Sequence, residues 1–535
     1  MQAAPSISVK GAAIALPLIA ALAALAGFLA LQFVTYTIAG AFEYPLDDPY
    51  IHLAMAEGIA RGTYGVNVGE AASAASSILY PLLLAPFASA PIGQFAPLAI
   101  NAVMVVLAGG LWGACLHTGG FRGIWAVLAA LLGPVALNMP TVAFTGLEHS
   151  AHLVASLCII LGLSTLIRTD RAPWWLALAI VIAPLLRLEG LALSGLALIV
   201  LIWRGKAWLG LLLATVLIAA LTGFMAFLTS LGLSPLPGSV LAKMDMGAPQ
   251  THGIMRLIAQ MQANMGHQAG MLLVALIAVA LLMPLYAKRL RWEGRDALLR
   301  VLALAGLAHL MLGQVGWMDR YEHYIIVSLI AGLTLAMAGL SGADHRRMAV
   351  VLTIALALSA ATYLPHLRDF AYAPRGLHLQ QAEMARFARQ IEAPVAVNDL
   401  GRVTWQNPNY VLDVIGLGSA EALAARQSRT ANDPAWLAPL LTAHGVRLAM
   451  VYDNWFGAEM KSSGWAKIGT LGQEPAHLGA LGSVEVAFYA PPDQADALTA
   501  AARNWAKNLP EGATFKLGAR DGSGEILKGE RYSAP

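Results

Sequence analysis

Residues 11–40, GAAIALPLIAALAALAGFLALQFVTYTIAG, contain no charged side chain. About 20 predominantly apolar residues suffice to cross a bilayer, whereas the apolar part of a secretory signal runs to about 7–15. The stretch therefore reads as a retained membrane anchor. Directly beyond it stands EYPLDDPYIHLAMAEG, residues 43–58, with Glu43, Asp47 and Asp48 at the point where a chain leaves lipid.

Working outward, similar apolar runs recur to about residue 365. Of the 535 residues, 58% are hydrophobic and 12% charged, where a soluble domain carries about 25% charged residues. With a mean hydropathy of +0.63, the chain reads as a polytopic α-helical membrane protein embedded in the lipid bilayer. The net charge of +3 is dispersed without a basic stripe, which argues against nucleic acid as a partner. Cys115 and Cys158 both lie in apolar sequence, so neither a disulfide framework nor a cysteine metal site is expected.

After residue 365 the composition changes. HLRDFAYAPRGLHLQQAEMARFARQIEAPVAVNDLGRV reads as a linker, an amphipathic helix and a strand with a turn. No later run is long enough to span. The expected organisation is a multi-span module, 1–365, and a soluble α/β or α+β domain, 366–535. Lys and Arg cluster in alternate short loops (HTGGFRG, RTDRAP, WRGKAW, KRLRWEGRDALLR, GADHRR, with Lys10 ahead of the first span). Basic loops face the cytoplasm, so the remaining loops, including 41–78, and the C-terminal domain are expected outside. The count closes at about eleven spans, provided 78–116 make one net crossing. Residues 173–203 would form two short halves, split by Arg187 and Glu189.

Asp48 before Pro49 is a helix-start signal, and Ile51, Met55 and Ile59 recur at helical spacing, as in a short amphipathic helix on the membrane surface. Asp47 is not needed as a cap. Placed just outside the bilayer, it suits a general base, with Glu43 raising its pKa only on close approach. The pair could alternatively hold a divalent ion. Thr145 and Glu148 have the spacing of a capping box. Arg187 and Glu189 interrupt apolar sequence without such an explanation, and read either as a structural pair in the bundle or as part of a site. Lys243 either snorkels to headgroups or meets a lipid phosphate. Trp317 and Tyr324 fit an aromatic belt, but Arg320 has the donor fork for phosphate. His323 lacks a second histidine at metal-ligand spacing.

No Walker A, GxGxxG, HExxH or GxSxG motif occurs, so ATP-driven transport, nucleotide cofactors and zinc or serine hydrolase chemistry have no sequence support. An outward site without a nucleotide fold needs a substrate already activated in the membrane, and polyprenyl-phosphate sugars are such a class.

The order of motifs resembles the polytopic GT-C glycosyltransferases, closest to a bacterial branch that includes arabinofuranosyltransferases. The matching stretches are DDPYIHLAMAEGIARGTYGVNVGE after the first span, TGLEHS, RLEG, LPGSVLAK, DRYEHY and VAVNDLGRVTWQNPNYVLDVIGLGS. RLEG lacks a proline of the family pattern, and LPGS has Gly-Ser where the family has Asn-Thr. The resemblance implies an inverting transfer at the outer face of a bacterial cytoplasmic membrane. In it Asp47, with Asp48, would deprotonate a hydroxyl of a glycan, lipid or protein acceptor. Polyprenyl phosphate would leave, met by Arg320, Tyr321 and Lys243. Glu43, His52, Glu148, Arg187, Glu189 and His323 would shape the site. Asn398, Asp399 and Asp413 would roof it or bind the acceptor, or else form a structural turn. The cofactor implied, if any, is Mg or Mn on Asp47 and Asp48. The alternatives are a carrier for lipid-linked sugars, against which the lack of an internal repeat counts, and a non-catalytic glycan- or lipid-binding subunit.

Overall fold

The computed structural model describes residues 9–90, 92–247, 253–286, 295–340, 342–429, 433–520, 526–527 and 531–533. Among them, six helices are long and apolar enough to cross a membrane: Ala15–Ala39, Gly93–Thr118, Gly123–Phe144, His149–Thr169, Ala207–Ser230 and Gly342–Ile391. A seventh would be the bent pair Ile254–Met265 and Gln268–Pro284. Among the described residues of this multi-pass chain, fewer helices reach spanning length than the eleven crossings expected. The difference arises where apolar sequence folds as shorter pieces, such as Trp174–Leu186, Gly190–Trp203 and His323–Ala336. Residues 173–203 do break at Arg187–Glu189, and 78–116 fold as a short helix, Tyr80–Ala88, ahead of the long one. The side chains of Lys10 and Lys243 lie outside the described residues, as do positions 287–294 of the basic loop.

The chain divides into two compact units. One comprises 1–32, 98–223 and 248–367; the other comprises 33–97, 224–247 and 368–535. The first is a helix bundle whose close approaches depend on small residues. Trp112 is fully buried and its indole N–H donates to the Ala129 carbonyl at 3.0 Å. A Cβ at Gly133 would run into that indole ring, so only glycine fits there.

The second unit is built on a mixed sheet. Its strands are β1 (Val395–Val397), β2 (Val411–Asp413), β3 (Leu448–Val451), β4 (Ala466–Gln473), β5 (Val486–Ala490), β6 (Ala513–Leu517) and β9 (Arg531–Ser533), in the order β2-β1-β3-β5-β4-β6-β9. A separate two-stranded ribbon is formed by β7 (Ala519–Arg520) and β8 (Ile526–Leu527). Strands β1, β2 and β3 are parallel and the remaining four pairings of this sheet are antiparallel. β1, β2, β3 and β5 are buried along their whole length, as befits a sheet covered on both faces. One cover includes Leu412, Trp436, Leu437 and Phe456; the other stacks Phe387, Phe488, Trp505 and Phe515.

Two local expectations change here. Residues read as a linker are helical, Leu367–Leu377, and pass through a π-helical turn, His378–Ala382, into Glu383–Ile391. Second, the Asp48–Ala60 helix is not a surface helix. Nine of its 13 residues are buried, from Pro49 through Ala56 and again at Gly58, because Tyr80–Ala88 and the short helix Gly401–Thr404 pack against it. The apolar stripe at 51, 55 and 59 is present, but Leu53, Ala54 and Ala56 between its members are apolar too, and His52 is buried with them. At the open edge of the sheet, the Asn67 side chain donates to the Val411 carbonyl at 2.9 Å and accepts from the Val411 N–H at 3.0 Å.

Candidate functional site

The residues singled out above fall into two groups, one in each unit.

In the sheet-containing unit, Asp48 is the first residue of its helix and Asp47 stands at the N-cap position. Asp47 makes no side-chain bond to that helix. Its carboxylate turns instead to a chain segment more than 350 residues away: Oδ2 accepts from Gly401 N at 2.6 Å and Oδ1 from Arg402 N at 2.7 Å. The reading that Asp47 has no capping duty is therefore corrected, since it caps the helix Gly401–Thr404. Asp48 lies inside its own helix rather than capping it, where its charge still complements the helix dipole.

Burial raises the proton affinity of Asp47 well above the ordinary carboxylate value, followed by repulsion from Asp399 and, more weakly, from Asp48; the two N–H groups oppose this. Glu43, the expected electrostatic neighbour, is engaged elsewhere. It accepts from Tyr50 OH and from the Arg402 guanidinium at 3.2 Å. That guanidinium also lies over the rings of Tyr50 and Trp405, at 5.1 and 5.7 Å. His52 is buried against the Tyr80 ring, with Nε2 3.2 Å from Ser76 Oγ.

Asp399, just past β1, accepts from Tyr452 OH at 2.6 Å and Gln381 Nε2 at 2.9 Å. Burial raises its pKa, against these two donors. The π-helical turn places consecutive Gln380 and Gln381 on this cluster, Gln380 Oε1 lying 2.9 Å from the same Tyr452 hydroxyl. π-helical turns recur at functional positions. Asn398 Oδ1 accepts from Tyr452 N at 2.8 Å, tying the ends of β1 and β3 together. Asp413 is fully buried and accepts from Ile415 N and Gly418 N, both at 2.8 Å, which makes it an organiser of the 413–418 turn. Burial pushes its pKa from 3.8 up to about 6, against those N–H groups.

The linkage follows from these directions. A carboxyl whose folded pKa exceeds its unfolded value contributes stability below the unfolded pKa, and loses it as pH rises through the folded one. For Asp413 the window runs from 3.8 to about 6, about 3 kcal/mol at 1.36 kcal/mol per pKa unit. Thermal unfolding of the detergent-purified protein is expected to give a falling Tm from pH 4.5 to 7, with a shallower fall in Asp413→Asn. Equal slopes in the two proteins would contradict the assignment.

In the helical unit the structure gathers Glu148, Arg187, Glu189, Arg320 and Tyr321. Arg187 Nη1 donates to Glu148 Oε1 at 2.8 Å, while Nη2 and Nε fork onto Glu189 at 2.7 and 3.2 Å. The guanidinium groups of Arg187 and Arg320 lie 5.3 and 5.1 Å from the centre of the Tyr321 ring. Arg320 Nη2 is 3.3 Å from Tyr321 OH, and the residue is 2% exposed. Around this core, Tyr324 OH lies 3.1 Å from the Glu189 carbonyl, and the His152 ring packs on Tyr324 at 4.4 Å.

The turn leading to Arg320 runs through left-handed backbone at Trp317, Met318 and Asp319, with φ of +50, +60 and +53°. Such values are uncommon outside glycine, and a run of three persists only where the surroundings enforce it. Asp319 accepts from His366 at 2.8 Å. The capping box expected of Thr145 and Glu148 does not form. Glu148 itself holds the N-cap position of His149–Thr169, and Thr145 Oγ1 donates to the Val142 carbonyl at 2.6 Å. His323 stands apart from the cluster, its Nε2 2.7 Å from the Leu137 carbonyl.

Sequence reading missed Gly401, Arg402, Gln381 and Tyr452 in one unit and His152 in the other. Only the NDLGR stretch, noted for Asn398 and Asp399, carried a signal for any of them. Among the described residues, no group of three or more His, Cys, Asp or Glu stands where it could share a metal ion.

Residues 371–489 match a family model described as a domain of unknown function (DUF8728). A search of curated proteins found no match. Among solved structures, ArnT from Cupriavidus metallidurans, crystallised with undecaprenyl phosphate, is similar at 14% identity and a TM-score of 0.47, covering 88% of this chain and 97% of that one.

Proposed function

We propose that this multi-pass chain is an inverting glycosyltransferase of the GT-C type. It moves a sugar from a polyprenyl-phosphate donor to a hydroxyl of a cell-envelope glycan, lipid or protein, at the outer face of a bacterial cytoplasmic membrane. The observation that carries this reading is the acid loop behind the first span. Its Asp47 is fixed by two main-chain N–H groups while burial, Asp399 and Asp48 raise its proton affinity. A fixed carboxylate with raised affinity suits a general base, provided that it stays ionised near neutral pH.

Each Asp47 oxygen accepts one N–H and keeps a second lone pair for the acceptor hydroxyl. As that oxygen attacks the anomeric carbon, its proton passes to Asp47 and the bond to the donor phosphate breaks. Arg320, with Tyr321 and Lys243, is proposed to meet the departing phosphate. Its fork matches phosphate geometry, and fixed cations aimed at developing charge contribute several kcal/mol in a water-poor site.

The test is a transfer assay on the purified chain with a panel of synthetic polyprenyl-phosphate sugars, with and without EDTA. Release of polyprenyl phosphate together with a glycosylated acceptor of inverted anomeric configuration supports the reading. Movement of intact donor between leaflets without cleavage of any panel member would instead identify a carrier.

A further inference from the structure

We propose that Gly401 and Arg402 are positioning residues for the acid loop, so that the segment of the DUF8728 match following β1 serves as its scaffold. The inference rests on the transferase reading for its catalytic consequence, and on the geometry of the sheet-containing unit for the rest. In open α/β sheets, ligands sit beyond the carboxyl ends of parallel strands where the chain leaves in opposite directions. Strand β1 lies between β2 and β3, and Asn398–Arg402 leave its carboxyl end. The group received there is this chain's own carboxylate, Asp47, held through both oxygens by Gly401 N and Arg402 N.

Three further features fit a built latch. A Cβ on Gly401 would lie 2.8 Å from Ile51 N and 2.9 Å from Asp47 Cγ, so the approach requires glycine. The Arg402 side chain grips Glu43 through Nε and Nη2. Further on, Gln406 N donates to Glu57 Oε2 at 3.1 Å, and Trp405 Nε1 lies 3.3 Å from the Ala88 carbonyl. Asp47 and Glu43 are thus each held at two points by a segment distant in sequence. Displacing a reacting group by about 1 Å costs about a hundredfold in rate.

The experiment compares wild type, Gly401→Ala, Arg402→Gln and Arg402→Lys as full-length chains in detergent. Two readouts are taken: hydrogen–deuterium exchange of residues 41–60, and steady-state transfer from a polyprenyl-phosphate sugar. Faster exchange at 41–60 in Arg402→Gln, with β3 and β5 protected as in wild type, is the expected result. It should accompany a kcat lower by about 10- to 100-fold, an unchanged donor KM and partial recovery in Arg402→Lys. Wild-type exchange at 41–60 in Arg402→Gln would overturn the proposal, as would a defect confined to donor KM. Should Gly401→Ala not fold, the two Arg402 variants decide alone. Loosened exchange in a chain whose wild type transfers nothing would keep the latch and remove the transferase reading.

Discussion

Asp47→Asn is expected to lower transfer about a thousandfold, within the range that a positioned general base contributes. The substitution keeps the size of the side chain but removes the charge that takes the proton. It also replaces one accepting oxygen by an NH2 group facing a main-chain N–H, where Asp47 now receives both Gly401 N and Arg402 N. Leaving a buried donor unmatched costs about 1–3 kcal/mol, so a modest fall in Tm should accompany the loss of rate. The two effects separate by comparison with Asp47→Ala. If Asp47 acts as a base, both variants lose transfer alike while still binding lipid donor. If its role is to hold the loop, loss of transfer should follow loss of stability across the two. Full transfer by Asp47→Asn would end the assignment.

Arg187→Leu should be the most damaging single change to stability. The arginine is 7% exposed and offsets Glu148 and Glu189, the former fully buried. Removing one partner of a buried ion pair costs about 3–5 kcal/mol, because the charge left behind is desolvated without compensation. Here two carboxylates lose their common partner. Thermal unfolding in detergent should show a clear drop for Arg187→Leu and a smaller one for Arg187→Lys, which keeps the charge and loses the fork. Combining Arg187→Leu with Glu148→Gln and Glu189→Gln should recover part of the loss, since the orphaned charges go too. An unchanged Tm for Arg187→Leu would show that the ion cluster does not hold the bundle.

The apolar runs, the break at Arg187–Glu189 and the short helix ahead of Gly93–Thr118 were legible because each is written locally, in hydropathy and in charges that interrupt it. The strand VAV and its following turn were legible for the same reason. Local spacing misled where tertiary partners decided. Thr145 and Glu148 have capping-box spacing, but Gly146 takes φ +76° and the helix begins only at His149. The Asp48–Ala60 stripe gave no hint that its other faces would also be covered. The latch on Asp47 could not be read at all, because a main-chain N–H has no residue signature and Glu43 and Arg402 are 359 positions apart. The gathering of the Arg187 and Arg320 guanidiniums around the Tyr321 ring was likewise invisible, because the two arginines are far apart in the chain and only the fold brings them to one ring.

The Asn67 amide has a consequence for solubility. Strand β2 ends the sheet, and a bare terminal strand offers a template for strand addition by a second chain. By supplying both a donor and an acceptor to Val411, the first residue of β2, one side chain imitates the missing neighbour and blocks that template where the strand begins. The chain thereby carries its own protection against edge-to-edge aggregation, in the same stretch that follows the acid loop.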